Sequence, residues 1–141
     1  MQYHTPVLLK ESVDALGVAE GGIYVDVTFG GGGHSREILN RAGECFLYSF
    51  DQDEDALANE LKDDRMTLIH SNFSDLENSL KLYRIDQVDG VIADLGVSSH
   101  QFDSEHRGFS IRFDGPLDMR MSKEVRKTAA DIISGYSWEE L

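Results

Sequence analysis

Four short apolar runs constrain this 141-residue chain more than any other feature: GIYVDVT at 22–28, CFLYSFD at 45–51, MTLIH at 66–70 and VDGVIADLGV at 88–97. They are rich in β-branched and aromatic residues, and the first is bounded by glycines on both sides, so they read as buried strands. Between them apolar residues recur at helical spacing: Ile38, Leu39 and Ala42, then Ala56, Leu57 and Leu61, then Leu76, Leu80 and Tyr83. Strands alternating with helices of about ten residues need right-handed crossovers, which give a parallel sheet with helices on both faces. The expected class is α/β, with strand order 3-2-1-4 and ligands bound beyond the carboxyl ends of the strands.

Local signals place the helix ends. Thr5 and Pro6 have the form of an N-cap and first helical residue; Leu8, Leu9, Ser12, Val13 and Leu16 share a face, and Gly17 can close that helix. Asp53 or Asp55 can cap the next helix but one, and Ser74 with Glu77 has capping-box spacing. An apolar fraction of 40% in a chain of this length can fill one core. No apolar run approaches a membrane span, and MQYHTPVLLKE lacks the form of a signal peptide, so a cytoplasmic protein is expected. The single cysteine, Cys45, offers neither an internal disulfide nor a zinc pair, and no metal site is expected.

A net charge of −13 argues at first against a polyanionic partner. Its distribution qualifies that: residues 107–127 hold Arg107, Arg112, Arg120, Lys123, Arg126 and Lys127 against only Asp114, Asp118 and Glu124. An acidic body with one basic segment fits a protein that meets nucleic acid at one place; a solvated mixed-charge face is the alternative.

DVTFGGGGHS, residues 26–35, sets four glycines between the first strand and a helix, where a ligand could approach bare backbone. The dinucleotide fingerprint G-x-G-x-x-G fails here, because Ser35 stands at its third glycine when it starts from Gly30. Asp26, Thr28, Gly30 and Gly32 instead follow the acidic-x-G-x-G-x-G loop of S-adenosylmethionine binders, with Thr28 in place of the first glycine. Asp51, ending the second strand, can accept both ribose hydroxyls of an adenosine, a geometry that would also suit a nicotinamide cofactor. Phe73 can pack on an adenine or belong to the core. Asp94 leaves the fourth strand at the ligand edge; with the Leu95–Gly96 backbone it could accept the N–H bonds of an exocyclic amine under methylation, or merely cap its own loop.

Five blocks in order, HTPVLLKE, DVTFGGGGHS, DQD, IADLGVSSHQFD and RGFSIRFDGPLDMRM, resemble the MraW or RsmH family of bacterial small-subunit ribosomal RNA cytosine-N4 methyltransferases. The resemblance implies a Rossmann-like class I core of which the chain holds the first half of the sheet. It assigns 1–127 to binding S-adenosylmethionine and 128–141 to the start of an inserted helical domain, cut short. Matched residue by residue, it implies cofactor contacts at Gly32, Gly33, His34, Asp51, Phe73, Asp94 and Gln101, with Asp94 catalytic. Within the blocks Ile111 stands where phenylalanine is usual and Phe102 where leucine is. The expected substrate is a cytosine N4 of small-subunit RNA, free or in an assembling subunit, gripped by the basic segment. A binding-only fragment and a nicotinamide oxidoreductase are the alternatives, and self-association through the fourth strand's edge or the carboxy-terminal segment is a further expectation.

Overall fold

The computed structural model describes residues 6–141, which divide into two compact units, 6–95 and 96–141. In the first, β1 (Ile23–Asp26), β2 (Phe46–Asp51), β3 (Met66–His70) and β4 (Gly90–Ile92) form one sheet in the order β3-β2-β1-β4, parallel throughout. The Rossmann-like α/β order read from the sequence is therefore present.

Alternation along the strands feeds two cores. Tyr24 and Leu47 pack with Val13 of α1 (Leu9–Leu16) and with Ile38 and Leu39 of α2 (Gly33–Arg41) on one face. Val25 and Phe50 pack with Leu80 of α3 (Leu76–Leu82) on the other. Val25, Ile38, Leu47 and Phe50 are fully buried, each contributing roughly 1.5–3 kcal/mol through its removal from water. Tyr24 buries its ring without stranding its hydroxyl, which accepts from the Ala19 N–H at 2.9 Å and donates to the Gly17 carbonyl at 3.4 Å. That pair pins the turn between α1 and β1.

Several local expectations change. Gly17 does close α1 in the left-handed region, but the helix opens at Leu9 after Leu8, itself left-handed at φ 53°, and Pro6 precedes it. The proposed cap Thr5 lies outside the described residues. Asp53 caps as expected, its carboxylate accepting from the Asp55 N–H, yet what it opens is a 3-10 helix, Glu54–Asn59. The Ser74–Glu77 capping box does not form. Asn72 takes the Ser74 N–H at 2.9 Å to start a 3-10 turn at Phe73, and Lys81 takes the Glu77 carboxylate at 2.7 Å.

In the second unit α4 (Ser99–Asp103) and α5 (Ala129–Gly135) are each opened by a complete capping box, Ser98 with Gln101 and Thr128 with Asp131. The buried side chains described here, Gln101, Arg107 and Ser122, are all polar. Among the described residues no helix is long and apolar enough to cross a membrane, and no cluster of three metal-ligating side chains occurs.

Candidate functional site

The carboxyl ends of β1, β2 and β4 meet at one rim of the first unit, and the candidate residues of that unit gather there. Asp51, the last residue of β2, reaches across to β1's loop: one carboxylate oxygen accepts from the Gly30 N–H and the other from the Asp53 N–H, both at 2.8 Å. Each oxygen keeps a second lone-pair site for a further donor. Burial pushes the Asp51 carboxyl above its ordinary range, against the pull of those two N–H groups. Asn59, which the sequence did not single out, donates from its amide to the Gly30 carbonyl at 3.0 Å and fixes the loop from the same side.

The glycines have internal reasons to lack side chains. Gly32 sits at φ 72°, and a Cβ there would meet the Phe29 ring at 2.9 Å; at Gly33 it would collide with the Pro6 ring. The bare backbone was read as clearance for a ligand, but at these two positions the chain's own Phe29 and Pro6 already demand it.

His34, in the first turn of α2, is buried, and its Nε2 has no hydrogen-bond partner among the described residues. Its Nδ1 lies 4.0 Å from a carboxylate oxygen of Asp94, whose side chain is 55% exposed. The Asp94 backbone N–H in turn donates to the Thr28 hydroxyl at 2.7 Å. His34 and Asp94 line a cleft of about 150 Å³ with Ile92, Ala93 and, from the start of the chain, Val7, Leu8 and Ser12. That wall was not foreseen, because nothing in residues 7–12 signals a neighbour at 34 or 94. Beneath the loop, Asp26 is buried and accepts from the Ser35 hydroxyl at 2.7 Å and the Thr28 N–H at 3.1 Å; burial raises its carboxyl, and these donors oppose the rise. Phe73 follows β3 with 44% of its surface exposed, in a turn tied to β2's end by Asn72 donating to the Gln52 side-chain oxygen.

The remaining candidates belong to the second unit. Gln101 is buried at the start of α4, where its side-chain oxygen accepts from the Ser98 N–H at 3.1 Å. The six basic residues divide. Arg107, 4% exposed, donates to the carbonyls of Arg120 and Met121, and Arg120 forms a two-toothed pair with Asp118 while reaching the Val125 carbonyl. Both guanidinium groups brace the loop they sit in. Arg112 lies over the rings of Phe102 and Phe113 and pairs with Asp103; Lys127 caps Tyr136; Lys123 and Arg126 are exposed.

The family model described as the MraW methylase family matches residues 1–141. The chain belongs to the MraW methylase family. Ribosomal RNA small subunit methyltransferase H of Phocaeicola vulgatus is 58% identical over 140 residues, which cover 99% of this chain and 46% of that relative. The enzyme of the same name from Christiangramia forsetii is 58% identical over 142 residues, covering 100% and 47%. This MraW-family chain thus spans about half the length of the curated relatives it matches. A crystal structure from Anabaena variabilis, described as a methyltransferase from an antibiotic biosynthesis pathway, superposes with a TM-score of 0.51 at 17% identity over 76% of this chain and 40% of its own. That likeness is one of fold.

Proposed function

We propose that the chain carries the methyl-donor half of an S-adenosylmethionine-dependent ribosomal RNA methyltransferase whose acceptor is the exocyclic N4 of a cytosine in the small subunit. The observation that supports it most is the rim itself: a ribose-ready carboxylate at Asp51, a buried nitrogen at His34 unsatisfied among the described residues and a half-exposed carboxylate at Asp94, gathered at the carboxyl ends of the strands of a MraW-family chain. These residues fit the cofactor. An orphaned buried nitrogen is costly unless a ligand completes it, and Asp51 retains acceptor capacity. Gly32, Gly33, His34, Asp51, Phe73, Asp94 and Gln101 are the proposed contacts, with Asp51 at the ribose, Phe73 at the adenine and His34 at the methionine end. Bound there, S-adenosylmethionine supplies an electrophilic methyl group.

The amine is a poor nucleophile because its lone pair is delocalised into the ring. Asp94, with the Leu95–Gly96 backbone, accepts its N–H bonds, restores density on nitrogen and disperses the positive charge that develops there. The cytosine is unstacked and flipped to reach it. Of the basic segment, Arg112, Lys123, Arg126 and Lys127 are the groups placed to meet RNA phosphates, while Arg107 and Arg120 hold the segment's shape. The protein works in the cytoplasm on ribosomal RNA or an assembling subunit. The outer edge of β4, which pairs with no strand among the described residues, invites self-association. A nicotinamide oxidoreductase is the weaker reading, since Ser35 at the third fingerprint position spends its hydroxyl on Asp26. Incubation with methyl-labelled donor and small subunits, followed by digestion to nucleosides, should yield label in N4-methylcytidine; label in a different nucleoside overturns the N4 assignment.

A further inference from the structure

An exposed catalytic carboxylate raises a mechanical question: what fixes its position? The β1–β4 ladder ends at the pair Asp26 and Ile92, two residues before Asp94. Beyond it the chain has left the sheet, Leu95 is 70% exposed and Gly96 adopts φ 147°, so neither ladder nor packing restrains the Asp94 backbone. Among the described residues one bond does, from the Asp94 N–H to the Thr28 hydroxyl at 2.7 Å. Thr28 is itself tied down, because its backbone N–H donates to one oxygen of buried Asp26. The other Asp26 oxygen takes the Ser35 hydroxyl, and Ser35 lies 2.8 Å from the Ser49 hydroxyl on β2. Since Ser35 gives its only hydroxyl proton to the carboxylate, Ser49 must donate to Ser35. These bonds, joined at Thr28 through its own covalent frame, link β2, α2, β1 and the end of β4 around Asp26.

We infer that Thr28 and Ser35 are positioning residues, coupled through buried Asp26: Thr28 sets where Asp94 presents its carboxylate, and Ser35 sets the glycine loop against the sheet. This rests on the reading of Asp94 as the group that receives the substrate amine. It also accounts for two departures from familiar loops. Threonine replaces the first glycine of the methyl-donor loop because its stiff, β-branched side chain holds a hydroxyl under β4. Serine replaces the third glycine of the dinucleotide fingerprint because a fully buried hydroxyl there satisfies Asp26.

Thr28→Val keeps the shape and removes the hydroxyl, whereas Thr28→Ser keeps the hydroxyl. For Thr28→Val we expect amide exchange at Asp94 faster by about tenfold, and a kcat for methyl transfer to small subunits lower by about tenfold with KM unchanged, the worth of one hydrogen bond. Thr28→Ser should restore most of both. Ser35→Ala acts on the loop instead and should weaken S-adenosylhomocysteine binding about fivefold. Wild-type exchange at Asp94 and wild-type kcat in Thr28→Val overturn the inference, as does a serine variant that fails to rescue. An Asp94→Ala variant as active as wild type instead overturns the reading of Asp94 beneath it, and the inference falls with that reading.

Discussion

The two units of the molecule hold their shapes by different physics. Residues 6–95 are built on two apolar clusters around a four-stranded sheet, so Asp26 and Asp51 sit on strands locked in a core, while Asp94 lies beyond the end of its ladder. Residues 96–141 bury polar groups only among those described, while Ile111, Leu117, Ile133 and Trp138 face outward. Their fold is held by guanidinium groups reaching backbone carbonyls and by two capping boxes. On the proposed reading this is a division of labour: the apolar unit would offer a preformed site for a small cofactor, and the polar unit a charged surface whose geometry depends on a few bonds.

The comparison breaks first under truncation of the core. Leu47→Ala, at a fully buried position, should cost about 3–5 kcal/mol in urea unfolding, through lost burial and the cavity left behind. An unchanged midpoint would mean that the sheet is not what holds 6–95 together. Next is Arg107→Met, which strands two carbonyls in the second unit and should cost about 1.5–3 kcal/mol, the scale of hydrogen bonds to a charged group. Hydrogen exchange should rise across 96–141 while β1 to β3 keep their protection. Loss of protection in the sheet would contradict the separation.

Acidity gives the smallest and most discriminating effect. Burial raises the carboxyls of Asp26 and Asp51 above 3.8, so the native first unit binds protons before the unfolded chain does. Their contribution to stability therefore grows as pH falls from neutrality through the raised native values toward 3.8. In the second unit Arg120 holds Asp118 low and the Thr128 N–H holds Asp131 low, so their stabilisation is present above 3.8 and fades as pH falls through the lowered native values. Asp63, held at about 2 by Arg65, adds the same acid-side loss to the first unit. Amide exchange measured from pH 7 down to 4.5, corrected for intrinsic rates, should show 6–95 gaining protection with no parallel gain in 96–141. Protection that falls in 6–95 over that window would contradict the assigned shifts.

Much of the first unit was legible in the chain. The run MTLIH coincides with β3 residue for residue, and the order of the four strands follows from the βαβ alternation. β4 shrank from the apolar run 88–97 to Gly90–Ile92 because a ladder lasts only as long as its partner, and β1 turns into its loop after Asp26. The helix expected after Asp53 became a 3-10 segment ending at Asn59, whose side chain is drawn to the Gly30 carbonyl. Pattern cannot see such a pull. At the site, Asp51 and Asp94 were readable as acids at strand ends, whereas Gln101 came only through family resemblance. The wall formed by Val7, Leu8 and Ser12 and the bond from Asp94 to Thr28 were invisible, since both join residues far apart in sequence. Charge counting found the basic segment, but it could not separate Arg107 and Arg120, spent on carbonyls and Asp118, from exposed Arg126.

The central claim is that the rim of the first unit binds a methyl donor through Asp51, and titration calorimetry tests it without requiring turnover. S-adenosylhomocysteine should bind saturably, one per chain, and Asp51→Ala should weaken it by about 1.5–3 kcal/mol, since the variant loses charge-assisted hydrogen bonds. NADH, run alongside, should bind far more weakly or not at all. No saturable heat with S-adenosylhomocysteine, an affinity untouched by Asp51→Ala, or equal or tighter binding of NADH would contradict the account.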